Sequence, residues 1–164
     1  MEVYTGVVPS HPASPRLLIV ILAMCGVVVT LSQSLVIPLV PQLPILLNTT
    51  VEDASWILTS TLLAGAVSTP ISGRLGDLYG KRRLMIGVLV AAVAGSVMCA
   101  LSSTLIPAVI GRVLQGVGIS LVPLGISLMR DLLPTGMLST GVSVMSATLG
   151  VGGAVGMPVG ALLV

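Results

Sequence analysis

The sequence predicts an all-α polytopic membrane protein, and three observations carry that prediction. Of its 164 residues 55% are apolar and only 7% are charged, and the apolar residues gather into stretches approaching the ~20 residues that a helix needs to cross the hydrocarbon core. Soluble domains carry roughly 25% charged residues, so a chain this poor in charge, with a mean hydropathy of +1.16, has lipid as its solvent. A β-barrel would require polar residues at every second position of each ~10-residue segment, and no such alternation is present. A nucleic-acid partner is excluded, because no basic face exists outside short loops.

Residues 1–15, with His11 and three prolines, read as a disordered cytoplasmic tail. Five transmembrane helices are predicted behind it, near residues 16–39, 54–73, 84–103, 105–128 and 139–164. In the first, the polar cluster Ser32-Gln33-Ser34 precedes Pro38, Pro41 and Pro44, which interrupt the outer half and free carbonyls that a substrate cavity can use. The second begins after Glu52 and Asp53 and is followed by Gly73-Arg74-Leu75-Gly76-Asp77-Leu78-Tyr79-Gly80-Lys81-Arg82-Arg83, read as a short charged hairpin. The third and fourth form one apolar run with a single charge, Arg112; it is nearly twice the length of one span, and Ser102-Ser103-Thr104 with Pro107 places a tight turn in it. The fifth is rich in glycine and is still apolar at Val164, which predicts a partial domain over 16–164 with further helices downstream.

Charge sets the orientation. Arg16, Arg74, Lys81, Arg82, Arg83 and Arg130, six of the seven basic residues, fall on one side of this helix arrangement, which the positive-inside rule makes the cytoplasm. The chain is therefore expected in the cell (plasma or inner) membrane as a multi-pass protein with its N-terminus cytoplasmic. Trp56, the sole tryptophan, belongs at the outer headgroup level. Cys25 and Cys99 differ in predicted depth by roughly 9 Å, at ~1.5 Å per helical residue, and so read as small buried hydrophobes rather than a disulfide.

Arg112 is the one ionisable residue placed within the hydrocarbon, where a charge costs at least ~2.5 kcal/mol by insertion scales. Gln115 and Gly116 follow at three and four residues and share its side of the helix. Gly152, Gly156 and Gly160 recur every four residues and form a ridge on which another helix can pack closely. No nucleophile with a base, carboxylate pair or metal-ligand set lies at depth, so no enzyme, metal or cofactor is expected.

The loop pattern G-x-L-x-D-x-x-G-K-R-R resembles the signature between the second and third helices of major facilitator superfamily transporters. Arg112-x-x-Gln115-Gly116-x-Gly118 resembles the fourth-helix signature of that superfamily in full. The resemblance implies a partial N-terminal six-helix bundle, a proton-coupling role for Arg112 and Gln115, and a cytoplasmic latch built from Gly73, Asp77, Gly80, Lys81, Arg82 and Arg83, with Arg130 and Asp131 as a partner pair. Gly152, Gly156, Pro158 and Gly160 resemble the antiporter signature of the fifth helix, with Met157 where the family has proline and Ala161 where it has glycine. Ser32 to Pro41 resembles the first-helix motif of the fourteen-helix drug:proton antiporter branch, with Ser32 in place of its aspartate; Ser32, Gln33 and Gln115 are then expected at the substrate cavity. The implied function is proton-coupled export of small apolar or amphipathic compounds, an efflux antiporter of the drug-resistance type. Uptake of a metabolite or sugar, or a non-transporting membrane subunit, is the alternative. The implied partners are the lipid bilayer, a small-molecule substrate, protons and the missing C-terminal half of the same transporter.

Overall fold

A computed structural model describes residues 14–162; the expected N-terminal tail lies almost wholly outside the described residues. Five helical spans, each long and apolar enough to cross a membrane, run Pro15–Leu46, Val51–Tyr79, Lys81–Leu101, Leu105–Leu132 and Thr135–Leu162. No strand occurs among the described residues. The fourth span is the centre of the bundle: half of its most apolar stretch is buried, against 17–28% in the others. The outer faces remain apolar, with Leu62, Val90 and Val93 more than half exposed, as a surface solvated by lipid chains should be.

The first span starts where Ser14 Oγ accepts the Leu17 amide at 3.4 Å and Pro15 occupies the first turn, a position that needs no amide donor. Its α-helix ends at Ser34, earlier than the expected 39, yet the chain stays helical. It winds on as a 3₁₀ segment over Ile37–Gln42 and one α-turn over Leu43–Leu46. Pro38, Pro41 and Pro44 cannot donate i→i−4 bonds, and the tighter winding accommodates them. Asn48, at φ 47°, then turns the chain back; asparagine tolerates this left-handed conformation better than most residues.

The second span departs most from expectation, because the charged stretch 74–79 is helix and not hairpin. It begins at Val51, where Thr50 Oγ1 accepts the Asp53 amide at 3.1 Å and Glu52 and Asp53 fill the first turn, next to the positive end of the helix dipole. At the other end the helix runs through Pro70, Gly73 and Gly76 and stops only at Gly80. Gly80, at φ 93°, is alone between the second and third spans, since the third starts at Lys81. Charge made the stretch look like a loop, whereas Arg74 and Asp77 are compatible with an exposed helical surface. The third-to-fourth turn falls at Ser102–Thr104 as the punctuation implied. The fourth span contains a 3₁₀ turn at Gly118–Ser120 and extends to Leu132.

Glycines set the packing. A side-chain carbon on Gly95 of the third span would collide with the Gly111 carbonyl of the fourth, and one on Gly116 with the Thr61 carbonyl of the second. The first and fifth spans meet along the predicted ridge. A carbon on Gly156 would lie 2.5 Å from Ser34 Cβ, one on Gly160 2.6 Å from the Leu35 carbonyl, and one on Gly152 would overlap Thr30. Such seams replace the hydrophobic drive, absent between helices in lipid, with close van der Waals contact. Ile19, Leu22, Met85, Leu121, Leu124, Met129 and Met145 pack together as the main core.

Candidate functional site

Arg112 sits about seven residues into the fourth span, roughly 10 Å from its start at 1.5 Å per residue, and only 8% of it is exposed. It lines a partly enclosed cavity of about 300 Å³. The wound end of the first span supplies much of the wall through Val36, Leu39 and Leu43, with Leu47 and Ile57 beside them; Cys99 and Ser102 come from the third span and its turn. The proline-bearing stretch thus contributes aliphatic side chains to the cavity. Among the described residues no hydrogen bond or ion pair reaches the guanidinium, and the ion pairs present are those of Lys81.

Gln115, equally buried, lies one turn further on. Its Nε2 donates to Ser96 Oγ of the third span at 2.9 Å, while Gln33 Nε2 of the first span donates to the Gln115 carbonyl at 3.4 Å. A polar line therefore crosses the bundle from the first span through the fourth to the third. Gln115 Oε1 is buried and has no partner, a costly state for an amide oxygen in a low-dielectric interior. Ser32 donates to the Val28 carbonyl of its own helix at 2.9 Å. Ser32, Gln33 and Gln115 do not line the Arg112 cavity; of the three, Gln33 and Gln115 are brought together and Ser32 stays apart.

At the opposite end of the fourth span lies a second charged group. Lys81 Nζ is 2.7 Å from Asp131 Oδ2 and 3.8 Å from Asp77 Oδ1, so one lysine joins the second, third and fourth spans. Arg74, Arg82, Arg83, Arg130 and Gly73 surround this cluster in sequence but are exposed, and among the described residues they form no ion pair. On the fifth span Gly152, Gly156 and Gly160 face the first span, whereas Pro158 lies exposed on another face. The helix runs through Pro158 unbroken.

Sequence reasoning passed over Ser96, and also Thr30 Oγ1, which donates to the Thr148 carbonyl across the first–fifth seam at 3.0 Å. Thr148 was within reach. It stands four residues before Gly152, on the period of the ridge. Cys25 and Cys99 are free thiols, and Cys99 Sγ donates to the Ala108 carbonyl at 3.6 Å.

Five apolar spans, one of them carrying a buried arginine, with exposed charge gathered at helix ends, define a multi-pass helical membrane protein. The model of the Major Facilitator Superfamily matches residues 22–164, and the chain belongs to that family. An uncharacterized MFS-type transporter of Mycobacterium tuberculosis is 38% identical over 94 residues, covering 57% of this chain and 14% of that protein. The bacillibactin exporter of Bacillus subtilis is 30% identical over 86 residues, covering 52% and 21%. The probable multidrug resistance protein EmrY of Escherichia coli is 30% identical over 66 residues, covering 40% and 13%. The matched segments are thus at most about a fifth of these relatives' lengths.

Proposed function

We propose that this chain forms the N-terminal helices of a proton-coupled exporter of small apolar or amphipathic compounds, seated in the cell membrane with its N-terminus and Gly80 in the cytoplasm. One observation carries the reading: Arg112 is a charge kept inside a membrane span, beside Gln115, with no structural partner among the described residues. Intramembrane charges of this kind mark coupling and substrate paths. Similarity to proteins named as an exporter and as a multidrug resistance protein supports export over uptake, as does the Gly152, Gly156 and Gly160 seam. Asp77, Lys81 and Asp131, with Gly73, Gly80, Arg82, Arg83 and Arg130 around them, act in this reading as a latch on the cytoplasmic side that opens and re-forms during the cycle. Lipid and a small-molecule substrate are its partners, with protons and a C-terminal half that completes the transporter.

The test uses the complete reading frame in proteoliposomes. Arg112→Ala should abolish substrate movement driven by a pH step while the protein still inserts, and Arg112→Lys should rescue poorly because the forked donor geometry is lost. Undiminished proton-driven transport by Arg112→Ala would remove the coupling role. Substrate accumulation in the direction of proton flow by the unaltered protein would make it an uptake carrier.

A further inference from the structure

Among the described residues no carboxylate pairs with Arg112. The chain's acidic residues are Glu2, outside the described residues, Glu52 and Asp53 at the start of the second span, Asp77 near that span's end and Asp131 at the end of the fourth. Asp53 already accepts from Thr49 Oγ1 at 3.3 Å, and Asp77 and Asp131 lie beside Lys81. A guanidinium held among apolar side chains is costly unless it is paired or hydrogen-bonded, and this one lines a cavity with room for a ligand.

We propose that Arg112 and its cavity bind the carboxylate of a small amphipathic monoanion, which makes monocarboxylates with an apolar body a substrate class of the transporter. The proposal rests on the reading of this cavity as part of a transport path. Three features narrow the ligand. The planar fork of arginine matches a carboxylate through two parallel hydrogen bonds. A monoanion leaves the buried pair neutral, whereas a dianion would leave a net charge in an apolar site and an ammonium would meet a like charge. The rest of the lining is largely aliphatic, from Val36, Leu39, Leu43, Leu47 and Ile57, with Ser102 as a polar handle. At about 300 Å³ the space is at the small end of ligand pockets, which fits one ring or a short chain.

The complete transporter in nanodiscs of zwitterionic lipid should be titrated with benzoate, benzyl alcohol and benzylamine, with empty nanodiscs as the blank and no proton gradient. Saturable benzoate binding at least tenfold tighter than benzyl alcohol, with benzylamine weakest, is the expected order. Arg112→Gln should erase the preference for benzoate, and Leu43→Trp, which fills the cavity and leaves the charge, should weaken benzoate binding. Benzyl alcohol binding as tightly as benzoate, or an Arg112→Gln protein that keeps the preference, overturns the proposal. Absence of benzoate binding by the complete transporter overturns it too. Should Arg112→Gln fail to fold, the probe order in the unaltered protein and the Leu43→Trp result decide. Adding oleate to the nanodisc lipid distinguishes the sources: displacement of benzoate by oleate makes the bound carboxylate a lipid's, and benzoate binding indifferent to oleate makes it a free solute's. Because binding is read at equilibrium, a failure of proton coupling or of export leaves this result standing.

Discussion

Lys81 and Arg112 lie near opposite ends of the same bundle and are treated in opposite ways. Lys81, at a helix terminus where water or headgroups can solvate it, has carboxylates at 2.7 and 3.8 Å. Arg112, buried to within 8%, has none among the described residues. Selection for stability alone would do the reverse, since an exposed ion pair contributes ~0–1 kcal/mol while a charge in hydrocarbon costs at least ~2.5 kcal/mol unless compensated. The proposed roles, a conformational one at the edge and a chemical one in the interior, follow that contrast.

The largest expected effect fixes which end is which. A cysteine at Thr50, near the Arg112 end, should react with an impermeant thiol reagent added outside intact cells, and one at Leu78, near Lys81, should react only after permeabilisation. Both positions are exposed, so burial does not confound the result, and the reverse pattern would invert the assigned roles of the two ends.

The next effect concerns the seam that holds the Arg112 cavity wall in place, because the first span is seated on the fifth. Gly156→Leu would thrust a side chain at Ser34 Cβ, which already stands 2.5 Å from where the first added carbon would fall. Overpacking of this kind costs ~1–3 kcal/mol, readable as a lower unfolding temperature and lost transport. Val155→Leu, on the neighbouring exposed position, should leave both near their original values. Equal behaviour of the two variants would show that the seam does not set the cavity.

The smallest effects are at the edge. Asp131→Asn should slow turnover more than Asp77→Asn, because Lys81 is 2.7 Å from one carboxylate and 3.8 Å from the other. Neither should shift stability by more than ~1 kcal/mol or alter substrate affinity. A loss of affinity with unchanged turnover would contradict a latch.

Composition alone made the fold class legible, and the four-residue glycine period made one helix seam legible. The Ser102–Thr104 turn could also be read, because polar residues interrupt an otherwise uniform apolar run. The stretch 74–79 reads as a loop but folds as helix for a physical reason: charge reports solvent exposure, which an extruding helix and a loop share. The Lys81–Asp131 contact spans fifty residues of sequence, and charge counting gives the side of the membrane but not the partner. Arg112 and its isolation from acids were visible at once. The identity of the cavity wall was not, since three prolines announce an interruption without saying that the chain keeps winding.

Gly80 is the sole residue between a helix of 29 residues and one of 21, lengths of about 44 and 32 Å at 1.5 Å per residue. A joint of one residue has two free torsions and no slack. The two rods can swing about that point but cannot slide past each other, so the end of the second span and the start of the third stay in register whatever angle the rods adopt. At its positive φ a side chain would be strained, and the freedom of that pivot depends on glycine remaining there.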